Sequence, residues 1–153
     1  ETFSERKKQK QESGLNTSQK LLLTWLTTDP VLLGKVKGIL TAEDFTDEFY
    51  YGAAKEVFDQ YEKEGTVTPA RILNRYETKE EQAKAAELFQ TTLLGDLDEA
   101  QKAKAFAETV RKVKQSSIEM RMGRAAETGD LETMQKAIAE QASLNADLRK
   151  AGL

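Results

Sequence analysis

The sequence predicts an all-α protein in which a compact multi-helix bundle is followed by a protruding C-terminal helical hairpin. Apolar residues recur with a period of about 3.6 along most of the 153 residues, which is the spacing of helices with one buried face. The composition agrees, with 32% charged residues and only two prolines. Pro30 and Pro69 each follow a residue that suits a helix N-cap, so each is predicted to start a helix.

The clearest helix is predicted within residues 40–69. When successive residues are placed about 100° apart, its aromatic and small apolar side chains fall within roughly 140° of one another. These side chains are Tyr50, Ala53, Ala54, Val57, Phe58 and Tyr61. Gly65 follows them, at a position where a left-handed cap costs least. Thr68 and Pro69 suit the N-cap and first position of the next helix.

A short helical turn is predicted just before this helix. Thr41 and Asp44 have the spacing of a capping box, with Asp in place of the usual Glu. We therefore expect residues 42–45 to form a turn that delivers Phe45 to the core. Phe45 and Phe49 are predicted to be the anchors against which other helices pack.

Four more helices complete the predicted bundle, and each carries an apolar stripe. The stripes are Leu22, Trp25 and Leu26 within residues 18–28; Val31, Leu32, Leu33, Val36, Ile39 and Leu40; Ile72, Leu73 and Tyr76; and Ala85, Leu88 and Phe89. Thr78 and Glu81 form a capping box for the last of these helices. Residues 91–96 are predicted to form a turn whose two leucines fold back onto the bundle.

The C-terminal part has a longer and weaker pattern. One helix is predicted over residues 98–127 and another over residues 131–150, joined by a turn. No aromatic residue follows Phe106, so this pair of helices has little apolar area and should be marginal by itself. The serine pair at residues 116–117 and Gly123 are candidate bend points.

These differences divide the chain into three parts. Residues 1–14 have almost no apolar side chains to offset the entropy lost on ordering, so they are predicted to be a flexible tail or linker. Residues 15–113 are predicted to form the bundle subdomain. Residues 114–153 are predicted to form a mobile hairpin subdomain.

The residue types available exclude several kinds of active site. The chain has no cysteine and no histidine, so the familiar zinc ligand sets and the Ser-His or Cys-His nucleophile systems cannot be built. There is no glycine-rich phosphate loop and no EF-hand loop. The acidic pairs stand at predicted helix starts, where carboxylates favour the positive end of the helix dipole. We therefore predict no catalytic, cofactor-binding or metal-binding residue in this chain.

Nucleic-acid and membrane binding are not favoured either. The net charge of −3 does not indicate a surface for DNA, and the basic run near the N-terminus is offset by glutamates to a net +1. The aromatic residues have the spacing of core residues, which favours packing over base stacking. No apolar run approaches the roughly 20 residues that a membrane span needs. The remaining interpretation is a helical protein-interaction module.

The order and spacing of the apolar positions resemble a known bacterial domain. The matching positions are Leu21-Leu22-x-x-Trp25-Leu26-x-x-Asp29-Pro30, Leu40-Thr41-x-Glu43-Asp44-Phe45, and Tyr50-x-x-x-Ala54-x-x-Val57-Phe58-x-x-Tyr61-x-x-Glu64-Gly65-x-Val67-Thr68. From residue 15 onward the chain resembles the C-terminal helicase-binding domain of the DnaG-type DNA primase. It is also similar to the N-terminal domain of the DnaB-type replicative helicase. The long last helix, the end at Leu153 and the polar segment before the bundle favour the primase.

The resemblance implies a non-catalytic domain of a primase, a nucleotidyltransferase of the bacterial primosome. The bundle is expected to modulate the replicative helicase, and the hairpin to bind the N-terminal domains of the hexameric helicase ring in the cytoplasm. This would couple primer synthesis to DNA unwinding without a cofactor or a direct DNA contact in this piece. Two alternatives stay open: the helicase N-terminal domain itself, and a helical nucleic-acid-binding module.

The residues expected to bind the partner lie in the hairpin, although some must hold the hairpin together. They are Met120, Arg121, Arg124, Glu127, Leu131, Met134, Ile138, Leu144 and Leu148. Arg121 and Arg124 are expected to steer association, and the apolar members to supply buried area. The methionines suit an adaptable protein-binding surface, or equally a flexible filler between the two helices.

Overall fold

The computed structural model describes residues 17–90 and 97–153, and this part of the chain is all-α. The helices are α1 (residues 17–28), α2 (Pro30–Val36), α3 (Glu48–Glu64), α4 (Pro69–Leu73), α5 (Lys79–Gln90), α6 (Glu99–Thr128) and α7 (Leu131–Lys150), with a 3₁₀ turn at Ala42–Asp44. The predicted tail at residues 1–14 and the predicted turn at residues 91–96 lie outside the described residues. The predicted fold class, a helical bundle followed by a C-terminal helical hairpin, is confirmed.

The helix ends follow the predicted capping residues. Asp29 Oδ1 accepts a hydrogen bond from the Val31 N–H at 3.0 Å, directly after α1 ends. The Thr41 N–H donates to Asp44 Oδ2 at 2.9 Å in the 3₁₀ turn. Gly65 ends α3 with φ +73°, as predicted. These local contacts fix two helix starts and the end of α3, because they satisfy backbone groups that the helix itself leaves free. Two predicted helices are shorter than expected: α2 ends at Val36, before Ile39 and Leu40, and α4 ends at Leu73, before Tyr76.

A single apolar core joins the bundle to both hairpin helices. It contains Leu22, Leu23, Trp25, Leu26, Leu33, Val36, Leu40, Phe45, Ala53, Ala54, Val57, Ile72, Leu88, Phe106, Val110, Val113, Leu144 and Leu148. Trp25 and Phe106 meet edge to face with ring centroids 5.5 Å apart. Phe45 is buried, as predicted, whereas Phe49 is half-buried and stacks on Tyr76 at 5.2 Å.

Buried polar side chains connect helices that are distant in sequence. Gln19 is fully buried; its amide donates to Thr46 Oγ1 at 2.8 Å and its carbonyl accepts from the Asp47 N–H at 3.1 Å. Thr24 Oγ1 donates to the Leu88 carbonyl at 2.8 Å. Each of these groups is hydrogen-bonded, so its burial is compatible with stability. They fix α1 against the start of α3 and the end of α5.

The longest helix, α6, extends from the bundle core into the hairpin without a break. The first half of α6 contributes three buried residues to the core, Phe106, Val110 and Val113. Helix α7 returns alongside α6 and places Leu144 and Leu148 in the same core. The serine pair at 116–117 and Gly123 lie within this uninterrupted helix. The mobility of the hairpin and the division at residue 114 stay predictions.

Candidate protein-interaction arm

Beyond the bundle core, the hairpin forms an arm, which we define as residues 114–140. Its interior contains three buried apolar residues, Ile118, Ala125 and Ala137, and they lie outside the main core cluster. Two of the three are alanines, so the helices are held together by a small apolar area. The arm therefore depends on its connection to the bundle for part of its stability.

The tip of the arm is closed by two local contacts. Gly129 ends α6 with φ +71°, and the Asp130 N–H donates to the Ala125 carbonyl at 2.9 Å. Asp130 then caps α7: Oδ1 accepts from the Thr133 N–H at 3.1 Å and Oδ2 from the Thr133 hydroxyl at 2.6 Å. The hydroxyl contact lowers the pKa of Asp130 below its ordinary value of 3.8. The predicted turn between the two helices is thus present.

Helix α7 presents an uncharged surface to solvent, which we call the outer face. Its residues are Leu131, Met134, Gln135, Ile138, Ala139, Gln141, Ala142, Asn145 and Ala146. They cover about 160° of the helix, opposite Ala137, Leu144 and Leu148, and extend for about 24 Å along it. Leu131 is 73% exposed and Ile138 is 50% exposed. The acidic and basic residues of α7 lie on its other sides, except Arg149, which lies in line with the outer face beyond its C-terminal end.

Three of the predicted contact residues, Leu131, Met134 and Ile138, come together on the outer face, where Met134 is half-buried. Glu127 and Arg124 are exposed near the tip on α6, and Met120 is exposed on α6 nearer the bundle. Within the described part of the chain, no acidic side chain lies within ion-pair distance of Arg124.

The remaining three predicted contact residues pack against or pair with other parts of this chain. Leu144 and Leu148 are 4% and 1% exposed and belong to the bundle core, because α7 turns that side toward α6 and the bundle. They have no exposed surface to offer a partner. The Arg121 guanidinium is bound by Glu140 and lies 3.7 Å from Asp44. It is therefore held by its neighbours, whereas Arg124 is exposed.

Where the arm leaves the bundle, four charged side chains form a cluster: Asp44, Lys114, Arg121 and Glu140. Lys114 Nζ lies 3.2 Å from Asp44 Oδ2 and 3.1 Å from Glu140 Oε1. Arg121 also pairs with Glu140, and the Ser117 hydroxyl donates to Asp44 Oδ1 at 2.7 Å. The cluster joins three elements, the 3₁₀ turn, α6 and α7, and its two positive and two negative charges balance.

The pKa of Glu140 reports the electrostatics of this cluster. Desolvation alone would raise it, but hydrogen bonds from Arg121 and Lys114, together with their charges, outweigh that effect. The pKa therefore lies below the ordinary value of 4.5. Glu140 is the anion through which α7 is tied to α6.

The sequence interpretation did not identify this cluster. It assigned Asp44 to a helix cap, which is confirmed, but a cap does not reveal that the same residue is 2% exposed and that its carboxylate faces α6. One signal was available: Lys114, Ser117 and Arg121 fall on the side of α6 that continues the buried stripe. Polar residues at such positions need buried partners.

The described residues contain no group of three or more His, Cys, Asp or Glu side chains arranged to hold a metal ion. None of the helices described is both long and apolar enough to cross a membrane. Comparisons of the chain with protein-family models, curated proteins and solved structures find no match. The geometry of the arm therefore provides the functional argument.

Proposed function

We propose that this chain is the helicase-binding domain of a bacterial DnaG-type DNA primase. In this proposal, the arm binds the N-terminal domains of the hexameric replicative helicase in the cytoplasm, and this contact couples primer synthesis to unwinding. The domain itself carries out no catalysis and needs no cofactor. The polymerising chemistry belongs to other domains of the parent nucleotidyltransferase.

The outer face of α7 is the observation that carries the proposal. In a chain with 32% charged residues, a helix face about 24 Å long has no charge and exposes Leu131 and Ile138. Such a surface is typical of the centre of an interface, where charged residues are depleted. Specific contacts cover about 800 Å² on each partner, an area that two exposed helices of an arm can supply.

A binding measurement tests this proposal directly. The chain is mixed with the replicative helicase hexamer from the same bacterium, and affinity is measured by biolayer interferometry. We expect Ile138→Glu to weaken binding at least tenfold, because it places a charge in the apolar centre of the contact. The matched control is Val31→Glu, since Val31 is 68% exposed on α2 of the bundle and should tolerate the same change.

Four outcomes would contradict the proposal. The unaltered chain could fail to bind the helicase, or Ile138→Glu and Val31→Glu could bind equally well. Self-association through the outer face, detected by analytical ultracentrifugation, would favour the helicase N-terminal domain instead. Salt-dependent binding to single-stranded DNA, measured by fluorescence anisotropy, would favour a nucleic-acid module. We expect neither self-association nor DNA binding.

A further inference from the structure

The charge cluster occupies the level at which the arm leaves the bundle. On α6, Val113 is the last residue in the main core, and Ile118 is the next buried apolar residue, already inside the arm. Lys114 and Ser117 lie between these two points, with Arg121 one turn further on. On α7, Glu140 lies one turn before Leu144, which returns to the core. The cluster thus fills the junction between two separate apolar interiors.

Asp44 is the only member of the cluster that belongs to the bundle. The residue is 2% exposed, and its carboxylate accepts hydrogen bonds from the Thr41 N–H, the Ser117 hydroxyl and the Lys114 ammonium. The next residue, Phe45, is buried in the core, so the position of the carboxylate is fixed on the bundle side. Through Lys114 and Arg121, this anchor reaches Glu140 on the second helix of the arm.

Such a cluster restrains geometry more than it adds stability. Removing charges from water costs about as much as their attraction returns, so a buried ion pair often contributes little net free energy. Hydrogen bonds, however, are directional, and they weaken steeply when their angles change. The hydrogen bond from the Ser117 hydroxyl to Asp44 is made by one member of the serine pair 116–117, and Gly/Ser pairs are sites at which helices bend.

We infer that the cluster of Asp44, Lys114, Arg121 and Glu140 holds the arm at one angle to the bundle, and that Asp44 is a positioning residue for the docking surface. The docking part of this inference rests on the proposed function. The partner contacts the outer face of α7, while the bundle sets the direction in which that face points. An arm that samples several angles binds more weakly, because only a fraction of its positions matches the helicase surface.

The test measures the distance between the arm and the bundle, whose spread reports how many positions the arm samples. The chain has no cysteine, so Lys35→Cys in α2 and Ala126→Cys in the arm give two unique sites for spin labels. Pulsed electron–electron double resonance then gives the distribution of distances between bundle and arm. We expect one narrow distribution for the otherwise unaltered chain. The variant Asp44→Asn/Lys114→Met should at least double its width.

The double substitution separates positioning from folding. It removes one anion and one cation, so the charge balance of the junction is kept and no uncompensated buried charge remains. The matched control is Asp59→Asn/Lys63→Met, which removes an exposed ion pair of 3.1 Å from α3. We expect the control to leave the distance distribution unchanged. An unchanged width in the Asp44→Asn/Lys114→Met variant would overturn the inference.

Helicase affinity supplies the second readout. If the matching arm position falls to about a tenth of the population, affinity falls about tenfold. A broadened distribution with unchanged affinity would overturn the role of Asp44 in docking. If the unaltered chain does not bind helicase at all, the proposed function fails, while the distance distribution still decides whether the cluster positions the arm.

Discussion

Lys114 Nζ lies 3.2 Å from Asp44 Oδ2, although the two residues are 70 positions apart in the chain and their side chains are only 9% and 3% exposed. This ion pair joins the 3₁₀ turn of the bundle to the first helix of the arm. Because the apolar interior of the arm is small, we expect this pair to contribute strongly to the orientation of the arm relative to the bundle.

The Asp44–Lys114 pair predicts a strongly non-additive double-mutant cycle. We expect Asp44→Asn alone to lower the free energy of unfolding by about 3 kcal/mol, because the cluster is left with an excess positive charge in a buried site. The same loss is expected for Lys114→Met. The double variant should recover most of the stability, as measured by urea denaturation. Additive losses would mean that the two residues act independently.

The lowered pKa of Glu140 predicts an acid-sensitive junction. A carboxylate whose folded-state pKa lies below its unfolded-state value stabilises the fold above the unfolded-state pKa, and this stabilisation is lost as the pH falls through the folded-state value. We therefore expect Glu140→Gln to lower Tm at pH 7 and the difference from the unaltered chain to shrink below pH 4.5. Calorimetry at a series of pH values between pH 7 and below pH 4.5 measures this difference in Tm. A pH-independent difference would contradict the prediction.

Truncating two apolar residues of α7 should change stability by very different amounts. Leu148→Ala creates a cavity in the bundle core and should cost about 3 kcal/mol of stability with no direct effect on a docking surface. Ile138→Ala removes an exposed side chain and should change stability by less than about 0.5 kcal/mol. Chemical denaturation checks both values. A large stability loss in Ile138→Ala would mean that the outer face is covered within this chain.

A close approach between Gly34 and Tyr61 predicts a second non-additive pair. A Cβ added at Gly34 would lie 2.8 Å from the Tyr61 hydroxyl, so Gly34→Ala must displace the ring. In a Tyr61→Phe background the hydroxyl is absent, and the same change should then stabilise α2 by up to about 1 kcal/mol through helix propensity. Thermal unfolding of the four chains completes the cycle. Equal effects of Gly34→Ala in both backgrounds would rule out the steric explanation.

Replacing each of the two glycines of the arm by alanine should change the stability of the protein in opposite directions. Gly129 has φ +71°, a left-handed conformation that an L-residue adopts at a cost, so Gly129→Ala should destabilise the tip by about 1 kcal/mol. Gly123 lies inside α6 with open space where a Cβ would be, so Gly123→Ala should stabilise the protein by about 1 kcal/mol. Tm values of the two variants measure these effects. Effects of the same sign would contradict the assigned conformations.

The local features of the sequence were sufficient to predict the helices and several of their boundaries, although not the ends of α2 and α4. The all-α class, the Gly65 cap, the start of α2 at Pro30 and the turn between α6 and α7 all depend on contacts within a few residues. Short-range propensities and hydrogen bonds determine such features. For the same reason, the burial of Phe45 followed from its place after the 3₁₀ turn.

Only the tertiary structure decided which side of each hairpin helix is covered. The sequence interpretation placed Leu131, Ile138, Leu144 and Leu148 on one side of α7. In the fold, Leu131 and Ile138 lie on the exposed outer face, whereas Leu144 and Leu148 lie on the side turned toward α6 and the bundle and are buried. Apolar residues occur on both of these sides of α7, so their spacing does not say which side is covered; the positions of α6 and the bundle decide it. The charge cluster likewise requires Asp44 and Lys114 to meet across 70 residues, and no local signal specifies such a contact.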